Sequence, residues 1–168
     1  MHLAFTAEQD ALRATLRAYY EGLLDPETRA LLDDHATHDA TQRRVVKQMA
    51  ADGWLGIGWP KEWGGQGRGA IDQWIFFDES MRAGAPVPML TINTVGPTLM
   101  EHGTQEQKER FLPAILRGEI HFCIGYSEPD AGTDLASLKT RGVIDGDDLV
   151  INGTKIWTSY GDTADYCW

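Results

Sequence analysis

The stretch Ile124-Gly125-Tyr126-Ser127-Glu128-Pro129-Asp130-Ala131-Gly132-Thr133-Asp134 sets the hydroxyls of Ser127 and Thr133 among two glycines and a proline, just after the mainly apolar run Ile120–Ile124. Glycine permits close backbone approach and unusual dihedrals, and a hydroxyl can donate to oxygen or nitrogen acceptors. Such a loop can cradle a phosphate-bearing cofactor. A second cluster, Lys155-Ile156-Trp157-Thr158-Ser159, follows a predicted hairpin and offers an indole able to cover a flat ring. Composition alone also allows plainer readings: an ordinary Pro/Gly/Asp surface turn, and a tryptophan buried in a strand.

Other chemistries find less support. Gly65-Gln66-Gly67-Arg68-Gly69-Ala70 formally satisfies G-x-G-x-x-A, but Pro60-Lys61-Glu62-Trp63-Gly64 before it is no hydrophobic strand and no βαβ unit follows. It reads instead as a shaped loop that packs on the cofactor domain. His35 and His38 stand among Asp33, Asp34 and Asp39 with no third ligand cluster, so a solvated acidic turn is expected there and no metal site. Glu101-His102 and His121 have no nucleophile elbow to serve.

These clusters need elements to hold them. Residues 1–120 read as a helical domain and 121–168 as the beginning of a β-domain. Thr6-Ala7-Glu8-Gln9 is a capping box, followed at helical spacing by Leu12, Leu16, Tyr19 and Leu23. Pro26 opens a short helix ending near Leu32, and a third runs from about Thr41 to Asp52, burying Val45, Val46 and Met49 and stopped by Gly53. After a Gly/Trp-rich loop, a helix over Ala70–Arg82 carries Ile71, Trp74, Ile75 and Phe77, and Gly84–Pro88 breaks it. A helical segment near Asn93–His102 precedes a second capping box, Thr104–Gln107, whose helix reaches Leu116 and ends at Gly118. Strands are expected at Phe122–Tyr126, Leu138–Ile144, Asp148–Ile151, Lys155–Ser159 and from Ala164, with Asp145-Gly146 and Asn152-Gly153 as hairpin turns.

The 168 residues carry a formal charge of −10, which argues against non-specific nucleic-acid binding and leaves any polyanionic ligand to local donors. No apolar run approaches the ~20 residues of a membrane span. The N-terminus from Met1 lacks a basic region with an apolar core, so no signal peptide is expected and the location reads as cytoplasmic. In that setting Cys123 and Cys167 are expected to be reduced, buried thiols, and Asn152-Gly153-Thr154 a turn without a glycan.

The ordered run Ser127-Glu128-x-x-Ala131-Gly132-Thr133-Asp134, with Lys155-x-Trp157-x-Ser159 and the Trp59-Pro60-x-Glu62-x-Gly64-Gly65 segment, resembles the acyl-CoA dehydrogenases, flavoenzymes that introduce an α,β double bond into acyl-CoA thioesters. Tyr126 stands where the family usually has a small aliphatic residue. That departure, with Leu90-Thr91-Ile92-Asn93, is most similar to the actinobacterial enzymes that shorten steroid side chains.

The resemblance implies an α+β fold: an N-terminal all-α domain, then the start of an antiparallel β-barrel-like middle domain, with the C-terminal helical domain absent. It implies FAD as cofactor, contacted by Ile124, Tyr126, Ser127, Glu128, Pro129, Thr133, Trp157, Thr158 and Ser159. In that pattern Trp157 lies against the isoalloxazine, Ser159 sits near flavin N5, Thr133 also touches the CoA portion, and Glu128 orders the loop as a structural carboxylate. The implied reaction removes the proton α to the thioester as a hydride leaves Cβ for the flavin. Its carboxylate base belongs to the C-terminal domain, beyond Trp168, so no residue here is assigned as catalytic and the chain alone is expected to bind FAD poorly and to be inactive. Implied partners are an acyl-CoA substrate, an electron-transfer acceptor protein, and subunits of a homo- or hetero-tetramer. Two alternatives stay open: a non-catalytic subunit of a heteromeric dehydrogenase, and an acyl-CoA oxidase.

Overall fold

Helix α1 (Ala7–Leu23) begins where the sequence signals it. The Thr6 hydroxyl accepts from the Gln9 amide N–H at 3.2 Å while the Gln9 side chain accepts from the Thr6 N–H at 3.0 Å. The structure, a computed structural model, describes residues 4–168; Met1, His2 and Leu3, where the leader expectation begins, lie outside the described residues. Helices α2 (Pro26–Asp33) and α3 (His38–Ala51) follow, then a 3-10 turn (Lys61–Trp63) and helix α4 (Ala70–Ala83). A π-turn (Thr91–Val95) leads into α5 (Gly96–His102), and α6 (Gln105–Leu116) opens on the second capping box, closed by Thr104 and Gln107. The chain divides into two compact units, one ending at Ile120 and the other starting at His121.

In the helical unit α1 packs on α4, α2 on α3 and α5 on α6. Helix α3 buries Val45, Val46 and Met49, as its spacing predicts. Gly53 stops it at φ 80°, donating to the Ala50 carbonyl while Trp54 donates to that of Met49, so the last turn satisfies its own carbonyls. Gly118 closes α6 in the same way at φ 63°.

Two helical faces depart from expectation. On α1 the buried stripe is Leu12, Leu16, Tyr20 and then Leu24, instead of Tyr19 and Leu23. Tyr19 is half-buried because its phenol donates to Asp52 at 2.7 Å and its ring lies 5.6 Å from that of Trp54. On α4, Ile71 and Trp74 are exposed while Phe76, Glu79 and Ser80 are buried. The cause is polar: Arg13 and Arg17 of α1 hydrogen-bond the Glu79 carboxylate at 2.7–3.0 Å, and the Tyr20 and Ser80 hydroxyls meet at 2.5 Å. A search for apolar stripes passes over such a face. At the turn near His35 and His38, His38 Nδ1 pairs with the Leu32 carbonyl; among the described residues there is no group of three or more His, Cys, Asp or Glu side chains that could hold a metal ion.

Around Trp59 two glycines are needed for space, Gly65 of the Gly/Trp loop and Gly96 at the start of α5. A Cβ on Gly65 would lie 2.1 Å from the Trp59 carbonyl oxygen, and one on Gly96 would lie 2.1 Å from Trp59 Cζ2. The Trp59 indole is buried and donates to the Ile92 carbonyl at 3.1 Å within the π-turn. The amides of Gln66, Gly67 and Arg68 are spent on the carbonyls of Gly56, Trp59 and Ile57, so the G-x-G-x-x-A stretch turns its donors inward.

The second unit contains β1 (Phe122–Cys123), a 3-10 turn (Leu135–Ser137), β2 (Arg141–Asp145), β3 (Asp148–Asn152) and β4 (Tyr166–Cys167). The antiparallel β2–β3 hairpin is in register from Arg141↔Asn152 to Asp145↔Asp148, and Gly146 takes φ 64° in its two-residue loop, as Asp145-Gly146 predicts. Its Ile144, Leu149 and Ile151 are exposed on one face. The α+β class holds, with one local difference: β1 and β4 pair in parallel.

Three strand expectations are corrected. The buried strand at Phe122–Tyr126 is limited to Phe122–Cys123, because the chain leaves the ladder to enter the loop. Asn152-Gly153 makes no hairpin; a Cβ on Gly153 would meet Thr140 Oγ1 at 2.1 Å, so glycine serves close approach there. Lys155–Ser159 is not a strand, since Trp157 adopts φ 57°. The cysteine expectation also changes: both thiols are free, but only Cys123 is buried and Cys167 is exposed.

Candidate functional site

The loop after β1 is organised around a buried carboxylate. Glu128 accepts from the amides of Lys139 (2.7 Å) and Thr140 (2.9 Å) and from Lys155 Nζ (2.9 Å). The Thr140 side chain, the Lys139 amide, the Lys155 ammonium and the Thr140 amide together hold its carboxyl down at about 2. Glu128 and Ala131 also exchange backbone hydrogen bonds (2.7 and 3.1 Å), closing a tight turn with Pro129 and Asp130 at its exposed tip. Glu128 therefore ties Lys139, Thr140 and Lys155 to the loop, with one donor on Oε2 and two on Oε1.

The same contacts draw in the second cluster. Lys155 Nζ donates to the Tyr126 carbonyl at 3.1 Å, and the Ile156 amide donates to the Ser127 carbonyl at 3.0 Å. Tyr126, Ser127 and Glu128 thus share a seam with Lys155 and Ile156, and Trp157 leaves from beside Ser127. Its indole is 85% exposed on a left-handed backbone, and Tyr160, three residues on, is exposed at φ 63°. Left-handed backbone costs a non-glycine residue about 1–2 kcal/mol, and an indole in water recovers none of it. Strain of this kind concentrates where a ligand is held.

The remaining candidates lie around this seam. Ile124 is half-buried at the root of the loop, beside Gly125, whose amide donates to the Trp168 carbonyl at 2.9 Å. Ser127 and Thr158 are half-buried, while Tyr126, Pro129, Thr133 and Ser159 are exposed. Thr133, Thr158 and Ser159 stand outside the hydrogen-bonded seam; Thr158 and Ser159 reach it through Trp157. Lys139 and Thr140 were not among the candidates, although they hold Glu128; only the fold brings their amides to a carboxylate so distant in sequence. Tyr160 was missed as well, and the following Gly161 was a local hint of a turn.

The arrangement can present a flat aromatic face, a set of hydroxyl donors and a rigid loop to a ligand with acceptor oxygens and a planar ring. It presents no free carboxylate at the seam.

Comparison with known proteins agrees with this geometry. Residues 6–119 match the acyl-CoA dehydrogenase N-terminal domain and residues 123–168 the acyl-CoA dehydrogenase middle domain. The chain is 54% identical to acyl-CoA dehydrogenase FadE26 of Mycobacterium tuberculosis across all of its own length and 43% of that relative's. Among solved structures, the ChsE4-ChsE5 complex from Mycobacterium tuberculosis superposes with a TM-score of 0.92 at 55% identity, covering the whole chain and 42% of its counterpart. The Tcur3481-Tcur3483 steroid ACAD superposes with a TM-score of 0.89 at 55% identity, covering the whole chain and 44% of that protein's. The chain thus spans less than half the length of the relatives it matches. A helical unit, a carboxylate-ordered Ser-Glu loop, an indole seated beside it and family matches over both units make the chain a member of the acyl-CoA dehydrogenase family.

Proposed function

We propose that this chain supplies the N-terminal helical part and the flavin-facing loops of an FAD-dependent dehydrogenase that acts on a steroid side-chain acyl-CoA thioester. The observation that carries the proposal is the Ile156–Ser127 hydrogen bond at 3.0 Å, which sets Trp157 beside the Ser127–Thr133 loop. The donor set suits a flavin dinucleotide: an exposed indole for the ring and hydroxyls for acceptor atoms. FAD, when bound, supplies a two-electron acceptor for the hydride lost from the acyl chain.

The chain's own residues bind and orient. Trp157 covers the ring face and keeps water from it. With FAD bound, Ser127, Thr133 and Thr158 would donate to its ring-edge and phosphate acceptors, Ser159 would sit near flavin N5, and Thr133 would also reach the CoA portion. Ile124, Tyr126 and Pro129 shape the wall of the loop, and Glu128 fixes its conformation. Glu128 is not the base in this reading, because a general base needs a proton affinity near the working pH and the Glu128 carboxyl is held down at about 2. That base is assigned to the part of the relatives' length that this chain does not span.

The steroid assignment rests on the 55% identity to the Tcur3481-Tcur3483 steroid ACAD. The electron acceptor is proposed to be a flavoprotein partner, and the two free cysteines suit a cytoplasmic setting. A second reading, in which the chain belongs to a heteromeric enzyme with a differently specialised partner subunit, is favoured by the two-protein assemblies among its similar structures. Co-expression with a candidate partner, followed by gel filtration, separates the two readings: a stable mixed oligomer supports the second, a homo-oligomer the first.

The cofactor assignment is tested by titrating FAD against tryptophan emission. Trp157→Leu is expected to weaken binding roughly fivefold, since losing an aromatic stack costs ~1 kcal/mol. Equal affinity in wild type and variant would remove Trp157 from the site.

A further inference from the structure

Cys123 and Cys167 are far apart in sequence but are register partners in the parallel β1–β4 pair. Neighbouring strands run about 4.7–4.9 Å apart, and register partners send their side chains to the same face. A disulfide needs Cα atoms about 4.4–6.8 Å apart, a range that the spacing of paired strands meets. The register is held on both sides: the Phe122 ring stacks on Tyr166 at 5.3 Å, and the Trp168 amide donates to the Cys123 carbonyl at 2.9 Å. Cys123 is buried and its thiol donates to the Tyr166 carbonyl at 3.5 Å, while Cys167 is exposed. A Cβ on Gly125 would lie only 2.8 Å from Cys167 Sγ, so that sulfur rests on the backbone at the root of the Ser127 loop.

We infer that Cys123 and Cys167 form an oxidisable dithiol, an intrachain modification site that a hydroperoxide converts to a disulfide. The exposed Cys167 reacts first. Its sulfur takes one oxygen of hydrogen peroxide, the O–O bond breaks, and the departing hydroxide combines with the thiol proton as water. The Cys123 sulfur then attacks the Cys167 sulfenic acid; the S–S bond forms, the S–O bond breaks, and the hydroxyl leaves with the Cys123 proton as a second water. Two thiols lose two electrons and one peroxide becomes two waters. Burial, and then the neighbouring Cys167, push the Cys123 thiol up, which keeps it protonated and leaves the first reaction with the oxidant to the exposed Cys167. A transient, oxidant-dependent disulfide is also the kind that a reducing compartment permits. The inference stands on this unit's own geometry and is independent of the cofactor assignment.

The test is to treat the reduced, purified chain with equimolar hydrogen peroxide and follow intact mass, thiol titration and a tryptic map. The expected product is a monomer lighter by about 2 Da, with both of its two thiols lost, the Cys123 and Cys167 peptides linked, and full recovery with dithiothreitol. Cys167→Ser is expected to abolish the 2 Da loss and leave Cys123 titratable in denaturant. A gain of about 16 or 32 Da on Cys167 with Cys123 still free, a link between two chains, or an unchanged mass would each overturn the inference. Should Cys167→Ser fail to fold, the wild-type mass and peptide map decide the matter alone.

Discussion

Gly96→Ala sets two forces of opposite sign against each other at one atom. Gly96 opens helix α5, and alanine in place of glycine in a helix ordinarily stabilises by about 0.5–1 kcal/mol. Against this, the added Cβ would sit 2.1 Å from Cζ2, 2.5 Å from Cη2 and 3.1 Å from Cε2 of Trp59. Ordinary carbon contacts begin near ~3.5 Å, so the indole must withdraw by more than ~1 Å from a site where it is 2% exposed. Overpacking of that kind costs about 1–3 kcal/mol. Withdrawal also stretches the 3.1 Å bond from Trp59 Nε1 to the Ile92 carbonyl, a loss of about 1 kcal/mol. The steric and hydrogen-bond losses together exceed the helix gain, and the net expectation is a destabilisation of about 1–3 kcal/mol. Chemical denaturation should show a lowered midpoint with an unchanged slope, and thermal unfolding a fall of roughly 5–10 °C. A midpoint equal to or above wild type would refute the reasoning, because it would mean that the indole has room to move and that backbone entropy prevails.

Glu79→Gln should destabilise the helical unit by about 3 kcal/mol, the low end for breaking a buried ion pair, because Arg17 is 57% exposed while Glu79 is 2% exposed; equilibrium unfolding measures it, and a change below ~1 kcal/mol would show the pairing to be energetically idle. Glu128, held at about 2 by its donors, and Glu79, lowered chiefly by its hydrogen bond from Arg17, both bind protons more weakly when folded than unfolded. Their stabilisation is therefore fully present above the unfolded carboxylate value of about 4.3 and is lost as pH falls from there through the folded values. Denaturation midpoints taken downward from about pH 6 should drop in that window, and Glu128→Gln should flatten the drop; an identical acid profile would deny the carboxylate its role. Trp157→Asn should raise the thermal midpoint by roughly 2 °C, since asparagine tolerates the left-handed backbone and little packing is lost, while weakening FAD binding; a lower midpoint would place the indole in a contact that matters to folding.

Much of the helical unit was legible residue by residue. The boxes at Thr6–Gln9 and Thr104–Gln107, and the glycine stops at Gly53 and Gly118, involve groups within a turn or two of one another, and the hydrogen bonds formed are those the local residue types predict. Asp145-Gly146 was legible for the same reason. The family pattern in Ser127–Asp134 and Lys155–Ser159 marks two segments that the Ile156–Ser127 hydrogen bond brings together. What escaped the sequence were the contacts that cross it. The apolar reading of α4 missed a buried face made of Glu79 and Ser80, because their partners lie on α1. Asn152-Gly153 reads as a turn but answers to Thr140, and Trp157, read as part of a strand, takes a left-handed backbone.

The sequence by itself determined where helices start and stop, the α-then-β order, and the acyl-CoA dehydrogenase pattern, since each is written in neighbouring residues whose hydrogen bonds and steric limits are short-ranged. Only the tertiary structure decided that Glu128 is spent on Lys139, Thr140 and Lys155, that Ile156 ties Trp157 to Ser127, and that Cys123 faces Cys167. These pairings join residues many positions apart. Each forms only because the collapse of the whole unit offsets the chain entropy of bringing such distant groups together.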